Sequence, residues 1–282
     1  FDNYWVETGQ QEFIQKYISK SKFTVADFEY YPITLKQLKM PGEVQQSISP
    51  AMYLYQSGYL TPRRDPEKGE YYLTYPNIEV RSSMIDLTED NFFVALQWQE
   101  KRVATKTELI KCLANDDFLS ALSVFNEIFS IIIYDDLDQT SGNDLTLECF
   151  YRNAMYFLMY YAKLDIRPEE HKTHGRADLV LYYNSKIALF ELKISASGTE
   201  ANVKSKLVEA DEQITKYAKS YKDPICMSIV INAKKRHIAL ASINDDVYKY
   251  VPNKKKRLPG TYERICDLES FLDSMKKSKT KS

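Results

Sequence analysis

Gly175-Arg176-Ala177-Asp178-Leu179-Val180-Leu181 and Ile187-Ala188-Leu189-Phe190-Glu191-Leu192-Lys193 are two apolar, β-prone runs separated by Tyr183-Asn184-Ser185-Lys186. Such a pair of runs around a short polar turn predicts a β-hairpin. If Asn184 and Ser185 form the turn, Tyr183 pairs with Lys186, and paired residues have numbers that sum to 369. Asp178 then stands opposite Glu191, and opposed residues project from one face. Side chains alternate along a strand, so Lys193 shares the face of Glu191. Two carboxylates and one ammonium are therefore expected to converge at one place among Leu, Val and Phe.

Burying acids among apolar residues is unfavourable unless a cation compensates them. A divalent metal with hard oxygen ligands would do so. The plainer reading is a salt-bridged strand, because Glu-x-Lys triplets are common; Glu170-His171-Lys172 is a second one in this chain. The upstream Asp in register, the apolar flanks and a following polar helix favour the metal site.

Gly-Arg-x-Asp-Leu-Val, the apolar strand ending in Glu-x-Lys, and Gln213-Ile214-Thr215-Lys216-Tyr217 together resemble the PD-(D/E)XK nuclease superfamily. Within it, the chain is similar to a bacterial branch whose nuclease domain follows an AAA-ATPase-like region. Gln213 and Tyr217 match the Gln-x-x-x-Tyr signature, and Glu148 matches the upstream helix acid. The resemblance implies Asp178 and Glu191 as metal ligands. It implies Lys193 as the residue that orients or activates the attacking water, and places Gln213 and Tyr217 near the reaction centre and the nucleic-acid backbone. The same resemblance extends to nuclease modules of bacterial toxin–antidote systems, where a cognate inhibitor or antidote protein is the partner.

Mg²⁺ or Mn²⁺ is the expected cofactor. The backbone carbonyl of Leu192 is a further candidate ligand because it lies between two site residues. Lys193, beside a metal, is expected to have lowered proton affinity. Because it faces the site, its removal is expected to leave metal-free melting little changed or even raised. Glu148 has two readings of equal weight: a ligand to metal or its water, or a first-turn acid favoured by the helix dipole. Gln213 and Tyr217 are four apart and share a helix face; Tyr217 also reads as a packing residue. Arg176, Lys216 and His174 are placed to touch phosphate, although a lone His in a polar loop is more often solvated.

The 38 basic and 39 acidic residues balance, so any nucleic-acid surface is local. From Val251 to Ser282 there are nine Lys/Arg against four Asp/Glu. The Lys254-Lys255-Lys256-Arg257 run and the Lys276–Lys281 tail read equally as phosphate-binding or solvated. Four scattered cysteines without a Cys-x-x-Cys pair argue against structural zinc and a disulfide scaffold. They suit thiols in a reducing compartment, the cytoplasm. No apolar run reaches membrane-span length. The chain opens at Phe1 without an initiator Met, which reads as a fragment of a larger protein.

Residues 1–142 read as a mainly helical, AAA-ATPase-like accessory region. Helical spacing runs over 12–18 and over Lys106 to Leu137, with strands expected over 54–61 and 71–80. Tyr4-Trp5-x-x-Thr8-Gly9, the run Tyr55-Gln56-Ser57-Gly58-Tyr59-Leu60-Thr61 and Pro76-Asn77-x-Glu79-Val80 carry the resemblance there. No Gly-x-x-x-x-Gly-Lys-Ser/Thr loop occurs, and glycine totals eight, so ATP is not expected to bind. Gln139-Thr140-Ser141-Gly142-Asn143 is the candidate linker. Residues 143–250 then read as an α/β nuclease domain with a restriction-endonuclease-like αβββαβ core. Residues 251–282 read as a basic tail with a helix over 263–276. The expected activity is phosphodiester hydrolysis, DNA ahead of RNA. The rival is a catalytically silent nuclease fold that binds a partner protein.

Overall fold

The computed structural model describes residues 28–39, 49–66, 69–95, 100–130, 144–168, 171–172, 175–253 and 260–279. The expected helix over 12–18, the linker 139–143, His174 and the Lys254–Arg257 run lie outside them. The chain divides into two compact units, Phe1–Ala95 and Leu96–Ser282.

In the first unit, strands β1 (Tyr31–Ile33), β2 (Thr61–Arg64) and β3 (Tyr71–Thr74) form an antiparallel sheet in the order β1-β3-β2. Pro32 and Pro62 stand on the two outer strands, where a missing N–H breaks no ladder. Helix α1 (Leu35–Lys39) follows β1. Two expectations fail here. Leu54–Gln56 is the end of helix α2 (Pro50–Gln56), because Ser49 caps Met52 N–H and Pro50 occupies the first turn. The expected strand through Val80 stops at Thr74, since Asn77 accepts from Val80 N–H and starts helix α3 (Ile78–Ala95).

In the second unit, the helical pattern over 106–137 resolves into α4 (Arg102–Ala114) and α5 (Phe118–Phe129). Asp116 at φ 56° reverses the chain, and Asp117 caps α5 at Ser120 N–H. The sequence reading placed a domain boundary at 142/143; the compact unit reaches upstream of it to include both helices. Helix α6 (Asp144–Tyr161) follows, with Tyr151, Ala154, Met155 and Leu158 fully buried and Arg152 nearly so. A helix apolar on nearly every side belongs in an interior.

The strands after α6 are β4 (Asp165–Pro168), β5 (His171–Lys172), β6 (Gly175–Arg176), β7 (Leu179–Tyr183), β8 (Lys186–Ser195), β9 (Ile225–Asn232), β10 (His237–Ile243), β11 (Asp246–Val251) and β12 (Thr261–Asp267). Seven of them form one sheet in the order β12-β11-β10-β9-β8-β7-β4. The short strands β5 and β6 pair separately. Among the described residues, only β8 and β9 pair in parallel, joined through α7 (Glu200–Ala218). Along the chain α6 is followed by β4, the short β5–β6 pair, β7, β8, α7 and β9, a mixed α/β arrangement.

The C-terminal stretch departs from expectation. The helix expected from Glu263 begins at Leu268, as α8 (Leu268–Lys279), because Asp267 accepts from Ser270 N–H and caps it. Thr261–Asp267 is the outer strand of the main sheet, paired with β11, so this part is not a tail. Asn126 of α5 joins the two ends of the unit. Its Oδ1 accepts from Ile238 N–H at 2.7 Å, beside a β-bulge in β10, and its Nδ2 donates to Tyr262 Oη at 2.9 Å. Ser123 of the same helix donates to the Gly260 carbonyl at 3.3 Å. Among the described residues, no helix is long and apolar enough to cross a membrane.

Candidate active site

The β7–β8 hairpin takes the register read from the sequence: Tyr183 pairs with Lys186 and Leu179 with Phe190. Asn184 and Ser185 both have positive φ, 45° and 59°, the backbone that a two-residue turn between twisted strands needs. The turn is tethered by Asp116, which accepts from Lys186 Nζ at 2.6 Å and from Tyr183 Oη at 3.2 Å. Asp178 lies just ahead of β7. Its Oδ2 accepts from Leu192 N–H at 2.8 Å, which holds the carboxylate against β8.

Glu191 and Lys193 are 3% and 7% exposed. Lys193 Nζ donates to Glu191 Oε1 at 2.8 Å and lies 3.8 Å from Glu148 Oε1. Glu148 comes from α6, and Arg152, one turn along that helix, lies 3.7 Å from Asp178 Oδ1 through its Nη1. The structure thus brings together Asp178, Glu191, Lys193 and Glu148 from the sequence reading. It adds Arg152, which that reading missed. The signal was present: Glu148 and Arg152 are four apart, hence neighbours on one helix face.

Three carboxylates against two cations leave a surplus negative charge in a buried place. Burial, reinforced by Asp178, raises the Glu191 carboxyl well above the ordinary range. Burial pushes Glu148 up to about 7, with Lys193 pulling the other way. For Lys193, burial lowers the ammonium, but Glu191 and Glu148 outweigh it and the net direction is up. This direction is that of the metal-free protein, where the carboxylates alone set it. Glu191 Oε2 is buried and has no hydrogen-bond partner. An orphaned anionic oxygen beside a second carboxylate fits a hard divalent cation, whose remaining ligands are water and substrate. Among the described residues, no three His, Cys, Asp or Glu side chains form a ready-made metal cluster.

The raised carboxyls make a pH prediction for protein kept in EDTA. A carboxyl whose folded-state pKa exceeds its unfolded value stabilises the fold fully below the unfolded value. That contribution is lost as pH rises through the folded value. Glu148 moves from 4.5 to about 7, so the melting temperature should fall between about pH 5 and pH 8. The associated loss is about 3 kcal/mol. The double variant Glu148→Gln/Glu191→Gln should flatten the profile; a wild-type curve that is flat or rises across this window would refute the account.

Gln213 and Tyr217 are half-buried on α7, and Lys216 beside them is exposed. Tyr217 packs with Val180, Leu189 and Ile214. Its ring also covers Gly175, whose φ is +122° and where a Cβ would meet the ring at 2.4 Å. Arg176 follows in β6. Gly175 therefore meets both a backbone and a space requirement that only glycine satisfies. Gly175→Ala should destabilise by about 1–3 kcal/mol, with a smaller loss in a Tyr217→Ala background. Equal losses in both backgrounds would show that the ring contact is irrelevant.

Cys112 is a buried free thiol, and Cys226 and Cys266 are half-buried free thiols. Burial pushes Cys226 up to about 11, so these are inert packing groups rather than nucleophiles.

Comparison with known proteins gives three findings. No solved structure matches the chain. An uncharacterized protein in the vnfD 5′ region of Azotobacter chroococcum mcd 1 is 28% identical over 198 residues, which is 69% of this chain and 37% of that protein. The chain thus spans little more than a third of the length of the curated relative it matches. Residues 146–240 match the family model of the PD-(D/E)XK nuclease superfamily. The matched stretch holds Glu148, Arg152, Asp178, Glu191 and Lys193, and the mixed α/β architecture is consistent with that fold.

Proposed function

We propose that the chain is a nuclease that hydrolyses phosphodiester bonds of DNA in preference to RNA, with Mg²⁺ or Mn²⁺ as cofactor. The residues of the reaction centre fall within 143–250, inside the Leu96–Ser282 unit. An AAA-ATPase-like accessory region over residues 1–142, without a phosphate loop, precedes them. The observation that carries the reading is the buried, unpartnered Oε2 of Glu191 in a cluster where acids outnumber cations.

Asp178 and Glu191 would hold the cation, with the Leu192 carbonyl and Glu148 as supplementary oxygens. The bound cation would supply Lewis-acid stabilisation of the charge that builds on the phosphoryl oxygens. Arg152 holds the Asp178 carboxylate in place. Lys193, kept charged by Glu191 and Glu148, orients a water and faces the developing negative charge. Gln213, Lys216, Tyr217 and Arg176 would meet the nucleic-acid backbone.

The test is incubation of the protein with plasmid, linear and single-stranded DNA and with RNA, in Mg²⁺, Mn²⁺ or EDTA. Cleavage in either metal and none in EDTA is expected, fastest on DNA. Wild-type protein inert on every substrate and unable to bind either metal would assign the fold to a partner-binding scaffold instead.

A further inference from the structure

A second concavity lies in the Leu96–Ser282 unit and takes no part in the chemistry above. It measures about 480 Å³, within the size range of small-molecule sites. Lys204 of α7, Lys235 of the β9–β10 turn and Lys249 of β11 border it, with His237, Tyr250 and the exposed Ile265. Glu200 pairs with Lys204 at 2.7 Å. Lys235 and Lys249 form no ion pair among the described residues, so the wall carries net positive charge.

The ring chemistry is equally specific. His237 lies against Tyr250 with centroids 4.8 Å apart, and Tyr250 is in turn backed by Tyr262 at 5.4 Å. His237 Nδ1 faces the Lys235 carbonyl at 3.2 Å. A carbonyl only accepts, so Nδ1 bears the proton and Nε2 remains an acceptor. The floor is built: Asn232, 3% exposed, donates to the Gly198 carbonyl and accepts from Lys235 N–H.

The cavity adjoins the candidate active site through β8. Ser195 is the next residue after Glu191 and Lys193 on the same strand face, roughly 7 Å beyond Lys193. Its Oγ accepts from Gly198 N–H at 3.2 Å and donates to Asn202 at 2.6 Å, so it ties the cavity rim to the catalytic strand.

We propose that this cavity holds one unpaired nucleotide of the substrate strand, close to the phosphodiester at Asp178, Glu191 and Lys193. The base lies against His237 and Ile265, and Lys235 and Lys249 take the phosphates. A base seated there has left its pair, so the enzyme acts on single-stranded or locally splayed nucleic acid. The inference rests on the nuclease reading.

It is tested on the full chain in EDTA, by fluorescence anisotropy with labelled oligothymidylate and oligouridylate in separate arms, across a salt series. Lys235→Ala/Lys249→Ala should weaken binding at least tenfold and reduce the salt slope by about 1.4, roughly 0.7 for each single-strand phosphate that is no longer neutralised. His237→Ala should weaken binding roughly tenfold with the slope unchanged, as loss of stacking does. All variants should melt as wild type and hydrolyse bis(p-nitrophenyl) phosphate at the wild-type rate, since that ester needs only the reaction centre. Variants that bind strands as tightly as wild type overturn the inference, as does a wild type that binds none. In either case, hydrolysis of the small ester leaves the nuclease reading standing, and its failure in every metal removes that reading too.

Discussion

Asp178→Ala and Lys193→Ala should each lower metal-dependent DNA cleavage by about a hundredfold or more, for different reasons. Asp178 contributes an oxygen to the cation and accepts from Leu192 N–H, so its loss should reduce metal affinity with activity. Lys193 is no ligand, and its removal takes a positive charge away from the site, so metal should bind at least as tightly. Calorimetric titration with Mn²⁺ separates the two. The expectation that Lys193→Ala leaves melting unchanged is corrected by the structure. Lys193 is buried and bonded to a buried Glu191, so metal-free Lys193→Ala should melt lower than wild type, most of all as pH rises above neutral and Glu191 would have to ionise without its cation. Lys193→Ala protein that cuts as fast as wild type would point to a contaminating nuclease.

Arg152→Ala should destabilise the metal-free protein by about 3 kcal/mol, as removing one member of a buried pair does. The guanidinium is nearly inaccessible and faces Asp178, so alanine leaves an acid without its cation and opens space beneath α6. Cleavage should fall too, because Asp178 loses the group that orients it. Arg152→Lys keeps a charge without the planar fork and should recover stability partly. The double variant Arg152→Met/Asp178→Leu should regain stability beyond the sum of the single losses while remaining inactive, since an apolar pair of similar volume replaces a buried ionic one. Denaturant unfolding of wild type, Arg152→Met, Asp178→Leu and the double variant in EDTA measures this. Strict additivity would show that the two residues do not act on each other.

The hairpin was legible because a two-residue turn leaves a single register, and a slip of one residue would turn Glu191 and Lys193 to the other face. The succession from α6 to β9 was legible because apolar periodicity and turn residues agree there. Helices α2 and α3 were not. Their tyrosine-rich flanks read as strand, and the deciding signals are single capping residues, Ser49 and Asn77. Strand β11 went unread although Asn244-Asp245 marks the turn before it, with Asn244 at φ 50°. Strand β12 has four of its seven residues exposed, so it lacks the apolar alternation by which strands are recognised. Arg152 was passed over because apolar neighbours make α6 look like pure core.

The hydrogen bonds that Asn126 and Ser123 share with Ile238, Gly260 and Tyr262 decide how this protein can be cut down. A piece starting at residue 143, where composition suggests a seam, would lose α4 and α5. It would expose the apolar surface that Leu122, Phe125, Ile128 and Phe129 cover, and leave the Ile238 N–H without its acceptor. Such a piece would be insoluble or misfolded, and its inertness would say nothing about catalysis. A piece starting at Leu96 instead keeps every described element of the Leu96–Ser282 unit, α4 and α5 included, and should stay soluble where the shorter piece does not.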